Sequence, residues 1–81
     1  MDVEAGVIDV LKNVSRRPIE PTVASDLIAD LGFDSLQVME LVAELEDRFD
    51  ITIPAAAAPA VRTVGDVVAR VAALVEERTG A

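Results

Sequence analysis

Asp30-Leu31-Gly32-Phe33-Asp34-Ser35-Leu36-Gln37-Val38-Met39-Glu40-Leu41-Val42-Ala43-Glu44-Leu45-Glu46-Asp47-Arg48-Phe49 is the stretch that decides this fold. An apolar turn around a glycine leads into Asp34-Ser35, residue types that favour helix starts, and then into a run of strong helix formers. The pattern predicts a helix over residues 35–49. Turned by about 100° per residue, Val38, Leu41, Val42, Leu45 and Phe49 make one apolar stripe, the core face. Leu36, Met39 and Ala43 fall on the opposite side, flanked by Glu40, Glu46 and Asp47. Gln37, Glu44 and Arg48 lie between the faces, and Glu44 with Arg48 has the spacing of a helical ion pair. The first N–H groups of a helix lack intrahelical partners and sit at its positive dipole end. The hydroxyl of Ser35 therefore stands where an attached anion such as a phosphodiester is favoured.

Outward from this stretch, Val3, Val7, Val10, Leu11 and Val14 recur at helical spacing behind Asp2 and Glu4, acids that suit a helix start. Arg16-Arg17-Pro18 ends this first helix, because proline disfavours helical geometry in the residue before it. A long connection then runs to Gly32. Leu27, Ile28, Leu31 and Phe33 are expected to pin it to the core, with a short helical turn between Ser25 and Leu31. On the other side, Asp50-Ile51-Thr52-Ile53-Pro54 alternates like a strand but has no partner strand in the chain. It reads as an extended connector buried through Ile51 and Ile53. Residues 55–60 have high helix propensity but contain Pro59, so they support at most a short helix. Thr63 and Asp66 form a plausible cap for a last helix whose stripe is Val64, Val67, Val68, Val71, Leu74 and Val75, ending near Gly80. The expected fold is all-α: a small bundle of three main helices plus one short one, with a long first loop.

The 81 residues fit a single domain over residues 1–81. There are two Phe and no Trp among them, so the core is aliphatic, and with no cysteine or histidine the chain lacks a thiol and the commonest general base. Nothing resembles a secretory leader or a run of about 18 apolar residues, so a location in the cytoplasm is expected. The net charge of −8 argues against nucleic acid, whose phosphates are met by Lys and Arg. Its distribution matters more than its size. Between Asp26 and Asp50 eight acids face Arg48 alone, a net of −7 around Ser35. That concentration suits an electrostatic docking surface for basic partners, with Leu36, Met39 and Ala43 as its apolar centre. A merely solvated helix face is the bland alternative.

The run Asp30-Leu31-Gly32-Phe33-Asp34-Ser35-Leu36, followed by Glu40-Leu41, Phe49 and Ile53-Pro54, resembles the acyl carrier proteins. Arg62-Thr63-Val64-Gly65-Asp66-Val67 supports the same resemblance. It implies that a phosphopantetheinyl transferase moves 4′-phosphopantetheine from coenzyme A onto the serine of the Asp-Ser-Leu motif, here Ser35 flanked by Asp34 and Leu36. Acyl groups would then be held as thioesters on the arm's thiol. The family's recognition surface maps onto Leu36, Met39, Glu40, Ala43 and Asp47. Its basic partners would be the transferase, an acyl or aminoacyl ligase or acyltransferase, a ketosynthase and other pathway enzymes. The resemblance further implies a monomeric, non-catalytic carrier for fatty-acid, polyketide or related lipid synthesis, whose interior shelters part of an acyl chain in some members. Gln37, Arg48 and the alanine-rich residues 55–60 depart from the acidic pattern common in fatty-acid carriers.

Other readings of the same residues are a peptidyl or aminoacyl carrier, which uses the same arm, and an unmodified acidic adaptor. Peptidyl carriers often enter the motif through a Gly-Gly-His/Asp sequence, so Leu31-Gly32-Phe33 leans to the acyl branch. Ser35 as a plain cap is the structural alternative, since Ser is common at helix starts, although Asp34 caps equally well. Nucleophilic hydrolysis lacks an evident base. Asp26, Asp30 and Asp34 lack the calcium-loop pattern, so no dedicated metal site is expected.

Overall fold

The computed structural model describes residues 2–54 and 61–80. Three helices form in chain order: α1 (Val3–Val14), α2 (Ser35–Phe49) and α3 (Val64–Gly80). Each helix packs against the other two. Among the described residues there is no strand, and the expected short helix in residues 55–60 lies outside them.

Each helix starts where the sequence supplies a polar cap. The Asp2 carboxylate accepts the Ala5 N–H at 3.1 Å, and α1 ends at Val14, with Ser15 as its cap immediately before the arginine pair. Its stripe delivers Val7, Val10 and Leu11 to the core, where they meet Leu41, Leu45 and Phe49 of α2 and Val64, Val67 and Val71 of α3. Gly6 permits close approach of α1 and α2, since a Cβ there would stand 2.7 Å from the Phe49 ring. After α2, Asp50 turns the chain in the left-handed region at φ 54, which Asp tolerates better than most residues. Ile51 is buried and Ile53 half-buried, as expected of the connector, and the Glu46 carboxylate accepts the Ile53 N–H at 2.8 Å.

The long first loop is held by hydrogen bonds that propensity alone does not foretell. Residues 26–32 make a helical turn, capped at its start by Asp26, whose carboxylate accepts the N–H groups of Ile28 and Ala29, both at 2.9 Å. The turn closes at Gly32, in the left-handed region at φ 72, whose N–H reaches the Ile28 carbonyl at 3.1 Å. Leu27, Leu31 and Phe33 are buried. Ile28, expected beside them, is instead 64% exposed. Leu27 and Leu31 are four residues apart and share the inner side of the turn, which leaves Ile28 on its outside. A single antiparallel bridge ties Asp26 to Thr63. Leu27 donates to the Arg62 carbonyl, Val64 to Ser25 and Gly65 to Val23, at 2.8–2.9 Å, so the loop is sewn to the entry of α3.

Candidate functional site at the start of α2

The buried Phe33 anchors the chain just before α2, and Asp34 then adopts an extended conformation as its cap. The Asp34 carboxylate accepts the Gln37 N–H at 2.8 Å, while the Gln37 side-chain oxygen accepts the Asp34 N–H at 3.3 Å. Two orphan donors are thus satisfied reciprocally. The pairing corrects the placement of Gln37: it is 7% exposed and belongs to the buried side, because reaching back to Asp34 draws its amide inward. Asp34 and not Ser35 fills the capping role. Ser35 is the first residue of the helix and exposed, and its hydroxyl makes no hydrogen bond among the described residues. The N–H groups of Ser35 and Leu36 are likewise without an intramolecular acceptor among them. An exposed hydroxyl beside two open donors at a positive helix end fits a phosphodiester-linked group sterically and electrostatically.

Beyond Ser35, α2 shows the two faces expected. Leu41, Leu45 and Phe49 are buried and Val38 and Val42 half-buried, whereas Leu36 and Met39 are 55% and 68% exposed and Ala43 also faces solvent. Those values make Leu36 and Met39 an unpartnered apolar strip. Glu40 and Asp47 are exposed around it together with Glu44, whereas Glu46, expected on this flank, is half-buried because its carboxylate turns to the Ile53 N–H at 2.8 Å.

The ion pairs are not the local ones the spacing suggests. Arg48 reaches Asp9 of α1 at 2.8 Å instead of Glu44, because packing brings α1 alongside and gives the guanidinium a tertiary partner. Arg16 lies 3.7 Å from Glu40, Arg62 lies 3.8 Å from Asp26, and Arg78 pairs with Asp50. Three of the eight acids between Asp26 and Asp50 therefore meet an arginine from outside that stretch. Sequence distance hid these pairings. Asp26 and Asp30 serve the first loop, Asp30 accepting the Asp26 N–H at 2.7 Å, and Asp34 serves the cap. No cluster of three potential metal ligands occurs among the described residues.

Behind the exposed face lies a narrow apolar cleft lined by Val38, Leu41 and Val42 of α2, Val67 and Val71 of α3, and Ile53. Its volume is about 20 Å³, room for about one water molecule. Among the described residues no helix is long and apolar enough to cross a membrane.

Residues 5–71 match the family of the phosphopantetheine attachment site. An acyl carrier protein of Exiguobacterium sp. (strain ATCC BAA-1283 / AT1b) is 50% identical over 70 residues, covering 85% of this chain and 84% of that protein. The meromycolate extension acyl carrier protein of Mycobacterium tuberculosis is 35% identical over 77 residues, covering 94% of this chain and 67% of its own length. A solved structure of a Mycobacterium tuberculosis protein assigned to the acyl carriers superposes with a TM-score of 0.83 at 39% identity, covering 88% of this chain and 96% of that one. The acetyl actinorhodin acyl carrier protein of Streptomyces coelicolor, at 24% identity and a TM-score of 0.72 over 94% of this chain and 93% of its own, shares the fold. The chain belongs to the acyl carrier protein family, non-catalytic carriers whose prosthetic group is 4′-phosphopantetheine and which serve a modifying transferase and pathway enzymes.

Proposed function

We propose that Ser35 is the residue that receives 4′-phosphopantetheine from coenzyme A. The observation that carries this reading is the division of labour at the start of α2: Asp34 and Gln37 do the capping, and the Ser35 hydroxyl is left exposed and uncommitted. When attached, the arm supplies the thiol that holds acyl groups as thioesters, a group this cysteine-free chain lacks. The open N–H groups of Ser35 and Leu36 stabilise the phosphodiester, and the Asp34 cap holds the helix end rigid beneath it.

The docking face of the same proposal is Leu36, Met39, Glu40, Ala43 and Asp47, an exposed apolar centre with an acidic rim. It fits enzymes with basic patches around an apolar contact: the transferase, an acyl ligase or acyltransferase, and a ketosynthase. The names of the relatives favour acyl over aminoacyl cargo, in fatty-acid, polyketide or related lipid synthesis. The proposed carrier acts as a monomer in the cytoplasm. A chain sheltered in the apolar cleft would need α2 and α3 to part, since the present volume of about 20 Å³ holds about one water molecule.

The decisive experiment is intact-protein mass spectrometry with peptide mapping, after incubation with coenzyme A, magnesium and a broad-specificity phosphopantetheinyl transferase. One added phosphopantetheinyl group on Ser35 is expected. No addition to the folded protein by several active transferases would favour the unmodified adaptor. Reversal of Glu40 and Asp47 to Lys is expected to slow modification, with the gap narrowing at high salt. Equal rates at both salt levels would remove the docking face from the proposal.

A further inference from the structure

The acidic face of α2 is not uniformly available, and the turn after α1 is the reason. The Ser15 hydroxyl donates to the Arg17 carbonyl at 2.6 Å and accepts the Arg17 N–H at 3.3 Å. The Arg17 guanidinium in turn lies beside Gly32 and reaches the Leu31 carbonyl at 3.5 Å. Arg16 is thus carried on a backbone clasped on both sides, and its guanidinium meets Glu40 at 3.7 Å. Glu40 lies five residues after Ser35 and next to Met39, so an enzyme that covers the serine and the apolar strip covers this carboxylate too. Glu44 and Asp47, further along α2, have no ion-pair partner among the described residues.

We propose that Arg16 is an intramolecular competitor for Glu40, occupying that acid against the cationic side chains of incoming enzymes and weakening the upper half of α2 as a docking element relative to Asp47. This rests on the docking face proposed above. The side chains of Arg16 and Glu40 are 68% and 48% exposed, so the pair opens readily and acts as a graded competitor rather than a block. An exposed pair of this kind biases an equilibrium by a factor of about 1.4 to five. The carrier would thereby discriminate against enzymes that rely on Glu40, the acid of the docking face nearer the serine, and favour those that reach down to Asp47.

The test is steady-state phosphopantetheine transfer to the full chain by one broad-specificity transferase, with coenzyme A as donor, at low and high ionic strength. Arg16→Gln is expected to raise kcat/KM about 1.4- to fivefold at low ionic strength. The gain should appear in KM, leave kcat and the thermal midpoint unchanged, and fade at high ionic strength. Lys12→Gln, which removes the same charge from the exposed face of α1, controls for the change in overall field and should produce a smaller gain. In a Glu40→Gln background the benefit of Arg16→Gln should disappear. An Arg16→Gln gain that equals that of Lys12→Gln, or that survives without Glu40, overturns the proposal. Slower transfer to Asp47→Asn with no gain from Arg16→Gln overturns it too, while leaving the docking face in place. If neither Asp47→Asn nor Glu40→Gln in the Arg16→Gln background changes kcat/KM, the docking face itself fails and the proposal falls with it.

Discussion

The starts of α2 and α3 are built from similar parts and put to different uses. Both carry a reciprocal cap: Asp34 with Gln37 at α2, and at α3 Thr63, whose hydroxyl accepts the Asp66 N–H at 3.1 Å while the Asp66 carboxylate accepts the Thr63 N–H at 3.1 Å. At α3 every donor is spent. Asp66 also takes the Arg62 N–H at 3.0 Å, and the N–H groups of Val64 and Gly65 go to carbonyls of the first loop. At α2 the N–H groups of Ser35 and Leu36 keep no protein acceptor among the described residues, and the serine hydroxyl is idle. One helix start is a structural joint and the other is open for an anion. Capping therefore says where a helix begins, while the fate of the remaining donors says what that beginning is for.

The largest effect that divides the two starts is on loading. Ser35→Ala is expected to abolish phosphopantetheine addition in the mass assay while circular dichroism shows an intact helical fold. Full loading of that variant would break the contrast. At the joint, Gly65→Ala should destabilise by about 1–2 kcal/mol in urea unfolding, because the new Cβ would stand 3.0 Å from the Val23 carbonyl oxygen and the loop would have to give way. Loading at Ser35 should persist wherever the variant is folded. Thr63→Ala removes a cap and should cost about 1 kcal/mol, again without loss of loading.

The smallest expected effect is on acid stability. Backbone N–H groups of Thr63 and then Arg62 hold the Asp66 carboxyl below its ordinary value of 3.8, and those of Ala29 and then Ile28 do the same for Asp26. A lowered value in the folded state means that the fold favours the ionised form. The stability it contributes is present above the unfolded value and lost as pH falls through the folded one. Urea midpoints measured from about pH 5 downward should therefore fall less steeply for Asp66→Asn than for the unaltered chain. Parallel slopes would mean that the α3 cap does not carry this linkage.

Much of this architecture is legible without coordinates because it is written in local chemistry. The stripes of α1, α2 and α3, the Thr63 and Asp66 cap, and the buried Leu27, Leu31 and Phe33 follow from periodicity and from groups a few residues apart. The motif around Ser35 is equally local. The structure departs from local expectation where a residue has two available environments and packing chooses between them. Ile28 turned outward because one helical turn has a single inner side, Gln37 turned inward to meet Asp34, and Arg48 left Glu44 for Asp9.

Three helices, an Asp-Ser-Leu helix start and a concentration of acid around it depend on neighbours along the chain, and local chemistry is enough to specify them. Which acids stand unpaired, and the closing of the long first loop on the entry to α3, depend instead on packing between distant segments. Arg16 and Glu40, or Val23 and Gly65, are too far apart in the chain for any local rule to join them. Their meeting is set by how the apolar stripes pack, and the polar pairings follow from the geometry that packing imposes.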